Sequence, residues 1–119
     1  MKTIEKGKQG EEIAVSYLVK KGYTIDAQNF SWGKLEIDVI ASIDQTLVFI
    51  EVKFRSTKHY GAPWQAVNGG KQHRLIKAAH HYINKVKWDG EARFDVISIV
   101  GSTAAAEIQH IEGAYYPRV

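Results

Sequence analysis

Two apolar runs carrying acids at regular intervals constrain this chain most. The first reads Glu36-Ile37-Asp38-Val39-Ile40-Ala41 and the second Thr46-Leu47-Val48-Phe49-Ile50-Glu51-Val52-Lys53. Both are rich in β-branched residues, and the short polar break at residues 42–45 suits a tight connection, so the pattern predicts a β-hairpin. Side chains alternate along a strand. Ile37, Val39 and Ala41 should therefore share a buried face with Val48, Ile50 and Val52. The other face carries Glu36, Asp38 and Ile40 on one strand and Leu47, Phe49, Glu51 and Lys53 on the next. A turn centred on Asp44-Gln45 would place Asp38 opposite Glu51 and Glu36 opposite Lys53, because the turn sets the register.

Opposed carboxylates repel each other across a ladder. A cation should sit between them, either Lys53 or a bound metal ion. Hard ions such as Mg2+ take carboxylate and carbonyl oxygens, which makes Asp38, Glu51 and the Val52 carbonyl a candidate ligand set. Such an ion polarises a phosphoryl oxygen and acidifies its bound water. A neighbouring lysine can orient that water or meet developing charge. The same residues also suit a plainer role. A Glu-x-Lys triplet arises by chance in a chain with 16 Lys and Arg and 13 Asp and Glu, and exposed acid–base pairs serve solubility.

The rest of the chain supplies one domain, residues 1–119. A chain this long buries roughly two-thirds of its unfolded surface. Residues 11–21 place Ile13, Ala14, Tyr17 and Leu18 at helical spacing, and Gly22 suits the stop. A short strand at 23–25, a loop at 29–33 with Trp32 at its tip, and then the hairpin follow. A second loop is expected at 54–63, with a short helix at 64–67 behind Pro63. A long basic helix begins at Lys71 and ends at Trp88-Asp89-Gly90. Strands follow at 93–100 and 107–111, with a tail from Tyr115. Helix, strand, hairpin, helix, strand, strand is the order of an α/β sandwich with a mixed sheet.

Composition narrows the chemistry. With no cysteine there is no disulfide, thiol nucleophile or thiolate-bound zinc, and the five histidines show no zinc-protease spacing. The net charge of +3 is compatible with a polyanionic partner. No apolar run reaches membrane-span length, and residues 1–10 lack the apolar segment of a signal peptide. A cytoplasmic protein without a membrane partner is the expectation. Arg55, Lys71 and Arg74 are candidate phosphate contacts. Trp32, Trp64 and Trp88 could stack on bases or pack in the core. Asp95, alone in Phe94-Asp95-Val96-Ile97, reads as a structural hydrogen-bonding residue.

Nearly the whole chain resembles the YraN-like family of bacterial proteins. The residues that carry the resemblance are Gly10-Glu11 with Ala14, Tyr17 and Leu18; Gly22-Tyr23; Asn29-Phe30; Glu36-Ile37-Asp38-Val39-Ile40-Ala41; and Phe49-Ile50-Glu51-Val52-Lys53-Phe54-Arg55. Gly61-Ala62-Pro63, Ala66-Val67, Lys71-Gln72, Arg74-Leu75-Ile76, Ala79, Tyr82 and Arg93-Phe94-Asp95-Val96 complete the set. That family looks like a branch of the restriction-endonuclease-like nucleases, similar to archaeal Holliday junction resolvases. The resemblance implies an α/β/α sandwich with a mixed sheet built on a central hairpin. It implies catalytic Asp38, Glu51 and Lys53, with Glu11 as an early helical acid and Mg2+ as cofactor, for which Mn2+ can substitute. Ile37, Leu35 and Gln65 stand where the pattern often has Pro, Gly and an acid; none of the three is a proposed ligand.

Two function classes follow. One is a Mg2+-dependent endonuclease acting on DNA, including branched or recombination intermediates, and a homodimer by analogy with related resolvases. The other is a non-catalytic nucleic-acid-binding or partner-binding accessory domain that keeps the nuclease fold. Glu36, on the face of Asp38, fits either as an outer acid beside the ligands or as a partner of Lys53.

Overall fold

The computed structural model describes residues 3–55, 69–101 and 105–115, with side chains from residue 8 onward except at 55 and 69. The elements in order are α1 (Thr3–Lys20), β1 (Thr24–Trp32), β2 (Leu35–Ile43), β3 (Thr46–Arg55), α2 (Gly69–Val86), β4 (Glu91–Val100) and β5 (Glu107–Tyr115). One five-stranded sheet runs β1-β2-β3-β4-β5, antiparallel throughout except for the parallel pair β3–β4. A parallel pair needs a crossover, and α2 lies in it. The result is the α/β architecture with a mixed sheet that the pattern predicts, and it is compatible with a restriction-endonuclease-like domain.

The two helices cover opposite faces. Ala14 and Leu18 of α1 pack on Val39, Ala41, Val48, Ile50, Ile97 and Ile99. Leu75, Ala78, Ala79 and Tyr82 of α2 pack on Ile40, Leu47, Phe49, Phe94 and Val96. Both faces of the hairpin are thus buried, which is why β2 and β3 read as nearly continuous apolar runs. The α1 helix ends as a glycine stop should: Gly22 takes φ +97, its N–H bonds Val19, and Tyr23 N–H bonds Leu18 O at 3.0 Å. No helix among the described residues is long and apolar enough to cross a membrane.

Several expectations need correction. The strand expected at 23–25 continues through Asn29 to Trp32, and the loop shrinks to Gly33-Lys34. Phe54 and Arg55 extend β3 instead of opening a loop. The rest of that loop and the short helix at 64–67, with Gln65, lie outside the described residues. The tail begins later, because Tyr115 is a buried end of β5 stacked on Phe94. Ile37 packs in the α2 cluster and not with Val39 and Ala41. Alternation slips at Asp38, which faces the segment where Asn29 adopts φ 53 between the pairs Gln28↔Val39 and Phe30↔Ile37.

Candidate active site

The hairpin register is the expected one. Asp44 takes φ 52 in the turn, and pairs run from Ile43↔Thr46 to Val39↔Ile50. The next step would pair Asp38 with Glu51, and there the recorded ladder stops. The Val52 N–H turns to the side chain and donates to Asp38 Oδ2 at 2.9 Å. A strand end where a carboxylate replaces the ladder acceptor opens the sheet locally and brings two acids together.

Charge at this point is concentrated and partly compensated. Glu51 is only 7 % exposed. Its Oε1 accepts from Lys71 Nζ at 2.6 Å and lies 3.3 Å from Lys53 Nζ. Lys71 stands in the first turn of α2, where the helix dipole disfavours a cation; Glu51 supplies the compensation. Asp38 fares differently. Burial first, and then the charge of Glu51, push its carboxyl up to about 7, against the pull of the Val52 N–H. Glu11 is likewise raised, mainly by burial and then by Glu36, while Asn29 pulls it down. Glu11 Oε1 is buried and has no hydrogen-bond partner among the described residues.

Gly10 explains how Glu11 reaches the cluster. A Cβ at position 10 would stand 3.2 Å from Phe54 Cδ2. The bare backbone lets α1 close onto β3, and the next residue then faces the carboxylates.

Of the residues singled out from the sequence, Asp38, Glu51, Lys53 and Glu11 converge here. Lys71 joins them as a direct partner of Glu51, beyond the phosphate contact read from the sequence. Glu36 is exposed, opposite Ser31 of β1, and acts on the site through its charge on Glu11. Arg74 is exposed one turn along α2 from Lys71. The side chain of Arg55 lies outside the described residues. Among those residues no three His, Asp or Glu side chains form a ready metal cage. The carboxylates of Asp38 and Glu51 are donors of the kind Mg2+ uses, since that ion keeps several waters and takes one or two carboxylates. The orphaned oxygen of Glu11 is a further acceptor for such a water.

A second polar cluster was legible only in part. Asp95 is fully buried, as a structural residue should be. It accepts from Arg93 Nε and a terminal Arg93 nitrogen, both at 2.9 Å, from Gly113 N–H at 3.0 Å and from His110 Nε2 at 2.7 Å. Arg93 also donates to the Tyr23 hydroxyl at 2.8 Å, and the Tyr17 hydroxyl lies 3.1 Å from His110 Nδ1. These bonds hold Asp95 below the ordinary carboxylate range although burial works the other way. The cluster ties α1 and β5 to β4. The one sequence signal for His110 is alternation, which places it on the same face as the half-buried Ile108.

Comparison with known proteins gives one family. The profile described as "Uncharacterised protein family UPF0102" matches residues 10–99. A UPF0102 protein of Phocaeicola vulgatus is 42% identical over 97% of this chain and 95% of its own length. Similar relatives are UPF0102 proteins of Christiangramia forsetii, 42% identical over 94% of each chain, and of Porphyromonas gingivalis, 41% identical over 93% of this chain and 84% of its own.

Proposed function

We propose that this chain, which belongs to the UPF0102 family, is a Mg2+-dependent endonuclease that hydrolyses DNA phosphodiester bonds, with branched or recombination intermediates as substrates. One observation carries the reading: the β2–β3 ladder gives way at Asp38 and Glu51, and Lys53 stands 3.3 Å from Glu51 on the same strand. A sheet gains nothing from opposed acids at a ladder end, whereas phosphoryl chemistry needs an anionic cradle with a cation beside it.

Asp38, Glu51 and the Val52 carbonyl would hold Mg2+ or Mn2+, which when bound polarises the phosphoryl oxygen and acidifies water. The remaining work belongs to the chain. Asp38 must be ionised to serve, and its carboxyl at about 7 in the metal-free protein makes ligation favourable as pH rises through neutrality. Lys53 orients the attacking water and meets charge growing on the phosphate. Glu11 offers its unpartnered oxygen to a water at the rim.

One observation favours the accessory reading instead. Lys71 and Lys53 already neutralise Glu51, so the fold holds half of its acid pair without metal. Calorimetric titration with Mn2+, beside cleavage of linear and branched DNAs, separates the two. The nuclease reading expects wild type to bind Mn2+ and cut, and Asp38→Asn to do neither. Equal Mn2+ affinity in both proteins would remove the site.

A further inference from the structure

A cavity of about 370 Å³ lies between the β1–β2 turn and the N-terminal half of α2, lined by Trp32, Gly33, Lys34, Leu35, Lys71 and Arg74. Three of these side chains are cations and none is an acid. The volume is at the low end for ligand pockets, which run roughly 300–1,000 Å³; a nucleotide fits it and a duplex does not. Its position matters as much as its size. Lys71 lines the cavity and also bonds Glu51 at 2.6 Å, so the pocket adjoins the carboxylate cluster across a single side chain.

Trp32 is held from one side and open on another. Its ring lies 6.1 Å from the His81 imidazole at 35°, and His81 stacks in turn on Phe30 at 6.3 Å. The residue is nevertheless 37 % exposed. An indole braced this way costs little further entropy to use as a platform. Base-on-aromatic stacking is sequence-tolerant, because every base has a π-face. In continuous duplex those faces are covered by neighbouring pairs, so the indole can take only a base that has left the stack. Lys34 and Arg74 meet its phosphates without reading sequence.

We infer that this pocket binds one unpaired nucleotide of DNA beside the phosphodiester at the carboxylate cluster, so that the protein prefers DNA with a displaced base over continuous duplex. The placement of the scissile bond rests on the nuclease reading; the binding preference does not. The test is fluorescence anisotropy in EDTA, with a perfectly paired duplex and the same duplex carrying a two-nucleotide bulge. Wild type should bind the bulged probe more tightly. Trp32→Ala should lower that affinity roughly 5- to 150-fold, the range one base–aromatic stack supports, and leave duplex affinity unchanged. Trp32→Phe should restore most of the loss, which a merely misfolded variant could not do. Equal losses on both probes, no loss on either, or no preference in wild type would overturn the inference. Cleavage in Mg2+ without a bulge preference would sink the pocket alone, and a bulge preference without cleavage would support the pocket while removing the nuclease.

Discussion

Asp38→Asn in metal-free protein isolates the electrostatic stress at the ladder end. The asparagine keeps an oxygen for the Val52 N–H, which Asp38 Oδ2 now accepts at 2.9 Å, but carries no charge. In the native protein the Asp38 carboxyl is raised from 3.8 to about 7, by burial and then by Glu51. A folded value above the unfolded one means that the folded state holds a proton the unfolded state has released. The stability from this group is complete below about 3.8 and is lost as pH rises through about 7. At about 1.4 kcal/mol per tenfold in the protonation constant, the gap corresponds to about 4 kcal/mol at most; solvent screening at this half-buried position brings it to about 2–4 kcal/mol. Urea unfolding in EDTA from about pH 3.5, just below the unfolded value, to about pH 8.5 measures it. The variant should match wild type at the acid end and exceed it by about 2–4 kcal/mol at the alkaline end, an offset of about 2 M in urea midpoint. Excess Mg2+ should raise wild type at pH 8.5 and leave the variant unmoved. A difference that stays flat with pH, or a variant less stable at pH 8.5, would refute the reasoning.

Three other perturbations probe the parts separately. Lys71→Met removes the nearer cation from a nearly buried Glu51 and leaves Lys53 at 3.3 Å; thermal or chemical unfolding should show a loss of about 1–3 kcal/mol, which Mg2+ reverses. Asp95→Asn removes the buried charge that Arg93 faces and turns one of the two acceptor oxygens into a donor, and should cost about 3–5 kcal/mol in guanidinium unfolding. Asp95 sits below its ordinary range, so its contribution is present above about pH 4 and lost as pH falls further; acid unfolding of the variant should lack that step. Gly10→Leu drives a side chain into Phe54, 3.2 Å from where its Cβ would stand, and should cost about 1–3 kcal/mol while weakening Mn2+ binding by displacing Glu11, as calorimetry would show.

Local signals carried much of this structure. Two β-branched runs and a turn centred on Asp44-Gln45 pointed to the hairpin register, and with it to the approach of Asp38 and Glu51, because in a hairpin the turn sets the register. Gly22 marked the end of α1 for a backbone reason. What escaped notice depends on distant partners. β1 continues through polar Gln28, Asn29 and Ser31 because pairing with β2 overrides their weak strand preference. The approach of Lys71 to Glu51 arises from the crossover that returns α2 over the end of β3, and no spacing in the chain encodes it. The network around Asp95 joins residues 93 apart at Tyr17 and His110; only a lone acid in an apolar strand hinted at it. The slip at Asp38 that moves Ile37 to the other face had no sequence signal beyond Asn29, a residue that tolerates positive φ.

Lys53 decides the central claim. It stands 3.3 Å from Glu51 and is a third exposed, and the proposed nuclease gives it the phosphate rather than the metal. The measurement is single-turnover cleavage of branched DNA in Mg2+ by wild type and Lys53→Met, with Mn2+ affinity recorded on the same preparations. The account predicts that Lys53→Met binds Mn2+ as tightly as wild type or tighter, and cleaves ~100-fold more slowly or worse. Cleavage by Lys53→Met at the wild-type rate, or no cleavage of any DNA by a wild-type protein that binds Mn2+, would contradict it.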